Sequence, residues 1–252
     1  MDLTFLGTGA ALPIPGRMQT GILCSADDRS LLVDCGSGVL NRLSETDVGY
    51  TGVGTVLLTH HHLDHVADLL PLLKARWLAG EEQLEIVGPT GTKQLVDGLL
   101  DVHDYLQGRC DLRIREVVAG EQFAAAGIGI DSHETRHSMD GLAYRFAADP
   151  DSRPAFAYTS DTEAFDGMAR FVDGCQVVAH DCSFPDSVEV SGHPKPSEIG
   201  ETFADSTVSH LVLTHLYPPT EGRHEELCES VAAGGFTGDV SVAHDGLSLR
   251  VG

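Results

Sequence analysis

The sequence predicts an α/β protein in which two β-sheets pack on each other and helices cover their outer faces. Hydrophobic residues make up 42% and charged residues 21% of the 252-residue chain, which is typical of a globular protein. In each half of the chain predicted strands come first and helices follow, a pattern that favours layered sheets. Because no linker or low-complexity tract divides the sequence, we expect a single domain over residues 1–252.

The first half consists of short apolar runs separated by turn residues. Asp27-Asp28 predicts the turn of a hairpin. Apolar residues at intervals of three and four predict a helix over 63–78. The predicted strands of this half are 1–6, 21–25, 30–34, 53–59, 84–87 and 112–118, and its helices are 63–78 and 91–105.

The second half repeats this rhythm. Pro196 precedes a helical segment in which Ser197 is the predicted N-cap. Two short strands around Asp245-Gly246 are expected to close the chain as a hairpin. The predicted strands are 127–131, 141–147, 155–159, 176–179, 211–214, 240–242 and 247–251, and the helices are 163–171, 197–204 and 221–233.

The charge of the chain is strongly negative. Asp and Glu number 38 against 16 Lys and Arg, which gives a net charge of −22. Molar salt screens such self-repulsion, so the composition predicts a salt-adapted, halophilic protein; an acidic protein from an ordinary cytosol is the alternative. The charge argues against a broad nucleic-acid-binding face at low salt, although a local phosphate site remains compatible with it.

The sequence indicates neither a membrane segment nor a disulfide scaffold. No run approaches 18 apolar residues, and the first residues lack the basic start and apolar stretch of a signal peptide. The six Cys are scattered, and none forms a Cys-x-x-Cys pair, which argues against a Cys-rich zinc site. We therefore expect a cytoplasmic protein with reduced thiols.

A dense group of metal-ligating residue types follows the predicted strand 53–59. His60 and His62 alternate, so they project the same way from an extended segment, whereas Asp64 and His65 are adjacent. Imidazole and carboxylate groups suit a divalent ion such as zinc. The segment thus offers two ligand pairs, enough to begin two neighbouring metal sites. The alternatives are a chance cluster and a helix N-terminus capped by Asp64.

Further polar residues lie where predicted strands end, and these positions are held rigidly by the core. Each of them alone is usually a structural residue, but together they indicate one shared rim. They are His137, Asp161, His180-Asp181 and His215.

With these motifs in the same order over nearly the whole chain, the sequence resembles the metallo-β-lactamase superfamily, and within it ribonuclease Z and its relatives. The resemblance implies an αββα sandwich of two mixed sheets, with two divalent metal ions, zinc first and manganese as the alternative, at one edge of the sheets. It is carried by Phe5-Leu6-Gly7-Thr8-Gly9, Val33-Asp34-Cys35-Gly36, the His-x-His-x-Asp-His run of residues 60–65, Tyr158-Thr159-Ser160-Asp161-Thr162 and Leu213-Thr214-His215.

The resemblance also implies roles for individual residues. Asp34 is expected to orient a metal-bound His, while His61 and Leu63 occupy variable positions. One metal would be held by His60, His62 and His137, the other by Asp64, His65 and His215, and Asp161 would bridge the two.

A second set of implied roles concerns the chemistry beside the metals. His193 matches the loop His that approaches the scissile phosphate in ribonuclease Z relatives. Asp181 stands where those relatives have a Glu, and its shorter side chain is expected to weaken its reach to His193. We predict Asp64, His193 and Asp181 as catalytic residues. Arg17 and Lys195 are candidates for phosphate contacts, with a solvated charge as the alternative for each.

The resemblance predicts a metal-dependent hydrolase, most simply a phosphodiesterase or nuclease acting on RNA or nucleotide phosphodiesters, and a homodimer is possible. Ribonuclease Z usually carries an inserted arm that grips transfer RNA, but residues 144–154 lead to Asp161 without room for one. We therefore do not expect accurate processing of transfer-RNA 3′ ends, which stays an alternative. A hydrolase of small esters, thioesters or lactones is another alternative, and a binding protein with a degraded site is a third.

Overall fold

The computed structural model describes residues 1–252 and contains fourteen strands and seven α-helices. The strands are β1 Asp2–Gly7, β2 Gly21–Ala26, β3 Arg29–Val33, β4 Thr55–Leu57, β5 Gln83–Pro89, β6 Asp111–Val117, β7 Gln122–Ala125, β8 Ile128–Glu134, β9 Leu142–Ala147, β10 Phe156–Tyr158, β11 Val177–Asp181, β12 His210–Thr214, β13 Asp239–Val242 and β14 Ser248–Arg250. The helices are α1 Val39–Ser44, α2 Leu63–Val66, α3 Leu69–Leu78, α4 Thr92–Val102, α5 Asp166–Val172, α6 Pro196–Phe203 and α7 His224–Ala233.

The strands form two seven-stranded sheets with the same plan. The first has the order β14-β1-β2-β3-β4-β5-β6, and the second has the order β13-β12-β11-β10-β9-β8-β7. In each sheet four strands pair antiparallel, β14 to β3 and β7 to β10. The remaining pairs, β3 to β6 and β10 to β13, are parallel. The prediction of two mixed sheets is confirmed.

Side chains that alternate along the strands build three apolar layers. Along β4 and the residue after it, Leu57 enters the core between the two sheets, whereas Val56 and Leu58 lie in the layer under the helices of the first half. In β12, Val212 enters the central core, whereas Leu213 packs under the helices of the second half. Because side chains of a strand alternate between faces, both faces of each sheet are buried and helices cover the outside. The αββα arrangement is confirmed.

The predicted hairpin at the end of the chain is wrong. β13 pairs parallel with β12 in the second sheet, while β14 pairs antiparallel with β1 in the first. The Asp245 carboxylate accepts hydrogen bonds from the backbone N–H groups of Thr8 and Met18. Asp245 and Gly246 do form a tight turn, in which the Leu247 N–H donates to the His244 carbonyl at 3.0 Å, but the strands before and after it belong to different sheets. The chain therefore crosses from one sheet to the other at this point.

The structure also differs from the sequence predictions in the extent and capping of several helices. The predicted helix 63–78 is interrupted at Asp68, whose carboxylate accepts from the N–H groups of Gly38 and Leu40 and so caps α1. α1 and β7 were not predicted. Ser197 is not an N-cap: α6 begins at Pro196, and the Ser197 hydroxyl donates to Asp186 at 2.8 Å.

No helix of the structure is both long enough and apolar enough to cross a membrane. The parallel strands β3 to β5 end at one edge of the first sheet, and β10 to β12 end at one edge of the second. In sheets of this kind ligands bind outside the carboxyl ends of parallel strands. Asp34, His60, Asp161 and His215 come shortly after these strand ends, and Asp181 is the last residue of β11, whereas His137 follows the antiparallel strand β8.

Candidate metal centre

The first group of candidate ligands joins residues from both sheets. His60 and His62 follow β4, and His137 lies in the connection between β8 and β9. His60 Nε2 lies 3.1 Å from His62 Nδ1, and His137 Nε2 lies 3.3 Å from the same His62 atom. With Asp161, these residues offer four ligand atoms within 4.8 Å of one another. The three residues predicted to share a metal are thus brought together.

The second group is more deeply buried. Asp64 and His65 lie in α2, and His215 follows β12; all three are buried and their ligand atoms lie within 4.8 Å of one another. His215 Nε2 is 3.2 Å from Asp64 Oδ2, and His65 Nε2 is 3.9 Å from the same oxygen. The short helix α2 starts directly after His62, so the chain turns between the first ligand pair and the second.

Asp161 lies between the two groups. One of its oxygens is 3.2 Å from His215 Nε2 and 3.8 Å from both His60 Nε2 and His137 Nε2. The other oxygen is 3.3 Å from His65 Nε2. A single buried carboxylate thus faces imidazoles of both groups, as a bridging ligand must.

The hydrogen bonds behind the rings direct their free nitrogens into the cluster. The Gly192 carbonyl can only accept, so His137 Nδ1 carries the proton in their 3.0 Å hydrogen bond. His65 Nδ1 likewise donates to Asp34 at 2.7 Å. Thr59 donates its hydroxyl proton to Asp34 at 2.8 Å and can accept from His60 Nδ1 at 3.1 Å. In its neutral form, each of these rings is left with a lone pair on Nε2 that faces the cluster.

This donor set fits divalent cations. His62 Nδ1 has at most one proton to donate, yet it faces the Nε2 atoms of His60 and His137 at 3.1 and 3.3 Å, and a cation would satisfy all three nitrogens together. In addition, His65 Nε2 and Asp161 Oδ1 are buried and, although only 3.3 Å apart, are not aligned as a hydrogen bond. Such atoms are costly to bury unpaired, and both are suitable ligand atoms. The cluster is therefore suited to divalent metal binding.

Electrostatics divides the cluster into neutral and charged groups. Burial lowers the pKa of His60 well below its usual value. Burial also opposes protonation of His215, but the carboxylates of Asp161, Asp181 and Asp64 outweigh it and raise the pKa of His215 to about 10. Burial favours the neutral acid at Asp64, yet the hydrogen bond from His215 and the charge of His65 lower the pKa of Asp64 to about 2. A divalent cation would replace the protons that now balance these carboxylates.

Three strand ends at the site adopt a left-handed backbone. The φ angles of Asp34, Ser160 and His215 are 58°, 57° and 59°. Residues other than glycine rarely adopt this conformation, and it is maintained only where the surroundings impose it. Here it turns the chain sharply after β3, β10 and β12, next to the candidate ligands.

A second polar group lies beside the candidate ligands. His193 Nδ1 donates to Asp181 Oδ2 at 2.6 Å, so the expectation that the shorter acid would reach His193 poorly is wrong. One ring nitrogen of His193 lies within 4.8 Å of ligand atoms of Asp161 and His215. The 181–193 connection folds back over the end of β11, which compensates for the missing methylene.

Ser183 is a site residue that the sequence analysis missed. Its buried hydroxyl donates to Asp181 at 2.6 Å and lies 2.9 Å from His215 Nδ1 and 3.1 Å from His193 Nδ1. It therefore links the second ligand group to the His193–Asp181 pair. A single Ser two residues after Asp181 carries no recognisable signal in the sequence.

The remaining candidates point elsewhere. His61 faces Thr92 at 2.9 Å, and Leu63 is 78% exposed. The Arg17 guanidinium donates to Thr8 and to the Ala243 carbonyl. Lys195 forms an ion pair with Glu189 at 2.8 Å, and His180 is buried against Phe203. None of them lies in the ligand groups.

Comparison with known proteins agrees with this architecture. Residues 29–216 match the family model described as the beta-lactamase superfamily domain. A ribonuclease Z from Methanopyrus kandleri is 32% identical over 285 aligned positions, which cover 99% of this chain and 97% of that protein. Because this alignment has more positions than the chain has residues, the relative contains insertions that this chain lacks.

Solved structures show the same fold. The metallo-beta-lactamase fold protein YhfI from Bacillus subtilis superposes with a TM-score of 0.84 at 26% identity, covering 100% of this chain and 99% of that one. The short form of human tRNase Z superposes with a TM-score of 0.79 at 20% identity, covering 100% of both chains, which is a likeness of fold.

Proposed function

The chain belongs to the β-lactamase superfamily, in the branch of ribonuclease Z, and we propose that it is a two-metal phosphodiesterase acting on RNA or short nucleotide phosphodiesters. Membership makes it a metal-dependent hydrolase of the nuclease class. Two ions, zinc for preference, would be held by the two ligand groups that meet at Asp161. The His193–Asp181 pair beside these groups is the observation that carries the choice of phosphodiesters.

Residues around the two ligand groups orient the imidazole rings that would bind the metal ions. When bound, two divalent cations would supply an activated water and stabilise charge on the attacking and leaving oxygens. Asp34 and the Gly192 carbonyl hold His65 and His137 in fixed orientations by accepting their Nδ1 protons. Burial of Asp64 and Asp161 keeps water from competing for their oxygens. The site is thereby preorganised before substrate arrives.

His193 is proposed to donate the proton that the leaving oxygen needs. Asp181 accepts the Nδ1 proton at 2.6 Å, which orients the ring and stabilises its protonated form. The other nitrogen, Nε2, can then donate to the leaving alkoxide of a phosphodiester. A thioester needs this donation less, because a thiolate leaves readily without a proton, whereas a lactone also expels an alkoxide. The pair therefore favours phosphodiester over thioester chemistry, and a direct comparison of substrates separates phosphodiesters from lactones.

The connection between β9 and β10 bears on the choice of substrate. It spans only residues 148–155 and returns antiparallel, with Phe156 opposite Phe146. An arm long enough to reach across a transfer RNA cannot form there. With a net charge of −22, the surface also offers few cations to distant phosphates. We infer that unstructured RNA or short nucleotides are better substrates than folded transfer RNA precursors.

A substrate panel tests this function. Purified protein with added zinc or manganese should hydrolyse bis(p-nitrophenyl) phosphate faster than a thioester or a lactone at equal concentrations. His193→Ala should then lower the rate on diesters with alkoxide leaving groups more than on nitrophenyl esters, which need little proton donation. A preference for the lactone or the thioester would support a small-ester hydrolase, and accurate cleavage of a transfer RNA precursor at matching rates would support transfer-RNA 3′ processing.

A further inference from the structure

The cations of this chain mostly serve as partners for its many carboxylates. Most of the 16 Lys and Arg side chains lie within 4.0 Å of a carboxylate oxygen, as Arg145 does with Asp131. Arg136 and Arg170 are both exposed, and neither makes such a pair. In a chain with 38 Asp and Glu, an Arg without a carboxylate partner keeps its N–H donors free for an anion.

Both of these side chains line one surface cavity of about 620 Å³. The guanidinium carbon of Arg136 lies 4.1 Å from the centre of the Phe165 ring, a contact that fixes the plane of the guanidinium while its edge stays free. The carboxylates of Glu134 and Asp166 line the same cavity but lie beyond ion-pair distance of either Arg. The cavity therefore presents two unpaired cations, of which Arg136 is oriented by Phe165.

Arg136 connects this cavity to the metal centre. It directly precedes His137, and both residues line a second cavity of about 290 Å³. The backbone N–H of Arg136 donates to Thr162 Oγ1 at 2.9 Å, and the N–H of Glu163 donates to the Arg136 carbonyl at 3.0 Å. Arg136 is thus fixed to the segment that follows Asp161, and its position relative to the ligands is set by the core.

We propose that the cavity lined by Arg136 and Arg170 binds a second phosphate of the substrate, one that flanks the phosphodiester at the metal centre. The inference rests on the proposed phosphodiesterase function and narrows its substrates to nucleotides or oligonucleotides with at least two phosphates. The planar fork of an Arg matches the geometry of phosphate oxygens. Arg17 and Lys195 are less suited, because their donors already contact protein groups.

Calorimetric titration of the zinc-loaded protein with uridine 3′,5′-bisphosphate and uridine 5′-monophosphate tests the proposal. Neither compound is a diester, so neither is a substrate for the proposed reaction. The wild type should bind the bisphosphate more tightly. Arg136→Ala and Arg170→Ala should each weaken bisphosphate binding about tenfold, as expected for a lost charged hydrogen bond, and leave monophosphate binding within about twofold.

Arg113→Ala is the matched control, because Arg113 is exposed, has no carboxylate within ion-pair distance and lies on β6 in the other sheet. It should leave both affinities unchanged. Wild-type bisphosphate affinity in both Arg136→Ala and Arg170→Ala would overturn the inference, as would an equal loss in Arg113→Ala. An effect confined to Arg136→Ala and equal for both ligands would also overturn it, since it would reflect a disturbed His137.

The two proposals fail separately. If the wild type hydrolyses diesters but the Arg variants bind the bisphosphate as it does, the second phosphate site is wrong and the phosphodiesterase stands. If no diester is hydrolysed while bisphosphate binding still depends on both Arg residues, the phosphate site stands and the proposed reaction is wrong.

Discussion

The two halves of the molecule have sheets of the same plan but supply the candidate ligands in different ways. In the first half, four of them come from one continuous segment after β4, His60 to His65. In the second half, His137, Asp161 and His215 come one at a time from three separate connections. The first set is arranged by local chain geometry, whereas the second depends on the packing of the whole sheet.

The residues that hydrogen-bond to the candidate His ligands also differ between the two halves. In the first half one residue, Asp34, holds both Thr59 and His65 at 2.7 to 2.8 Å. In the second half the support is spread along the 181–193 connection, through Ser183 and the Gly192 carbonyl. The first sheet therefore carries a compact ligand motif, and the connections of the second sheet carry the groups that support His137 and His215, together with the proposed proton donor His193.

Asp161→Ala should have the largest effect, because this carboxylate is the contact between the two ligand groups. We expect both ions to bind weakly and phosphodiester hydrolysis to fall by about 10⁴-fold, as for loss of a residue on which a whole catalytic unit depends. Metal content per chain and the rate on bis(p-nitrophenyl) phosphate check this. Retention of two ions with near wild-type turnover would show that the halves bind metal independently.

Asp64→Ala breaks only the compact motif of the first half. One ion should be lost and hydrolysis should fall by about 10³-fold, since removing one cation removes several kcal/mol of charge stabilisation. The fold should survive, because α3 is anchored by Leu69 and Leu73 in the core. His61→Ala is the matched control from the same segment. A comparable loss there would mean that the register of the motif is misassigned.

Substituting one hydrogen-bond partner of a ligating His in each half compares how much each half's support contributes to metal affinity. Asp34→Asn and Ser183→Ala should each lower metal affinity by about 10- to 100-fold, the usual effect of removing a partner of a ligating His. Asn tolerates the left-handed backbone at position 34, where φ is 58°. Ser183→Thr should restore affinity because it keeps the hydroxyl. Chelator competition measures the affinities, and unchanged values in both variants would contradict these roles.

The smallest expected difference concerns charge. Residues 1–126 carry 17 acidic and 9 basic side chains, whereas residues 127–252 carry 21 and 7. The thermal midpoint should rise between about 0.1 and 2 M KCl as screening contracts from about 10 Å to below 3 Å. Hydrogen exchange should slow more in β10 to β12 than in β3 to β5. A flat or falling midpoint with saturating metal would reject salt adaptation.

Features that depend on neighbouring residues were predictable from the sequence, whereas features that depend on distant contacts were not. The His60–His65 ligands could be predicted because they are close together in the sequence. The strands could be predicted because both faces of each sheet are buried, so the strands appear as short apolar runs. The Asp245-Gly246 pair led to the wrong prediction of a hairpin, because a turn signal is local and does not indicate which sheet each flanking strand joins. Ser183 stayed hidden because its importance comes only from the folding of a distant connection onto His215.

The central claim is that both halves together hold two metal ions that hydrolyse phosphodiesters. Titration of the metal-depleted protein with zinc, with bound metal and hydrolysis of a dinucleoside monophosphate followed in parallel, tests it most directly. We predict that binding saturates at two ions per chain and that activity rises only as the second ion binds. Full activity with a single ion, or saturation with two ions without any phosphodiester hydrolysis, would contradict the claim.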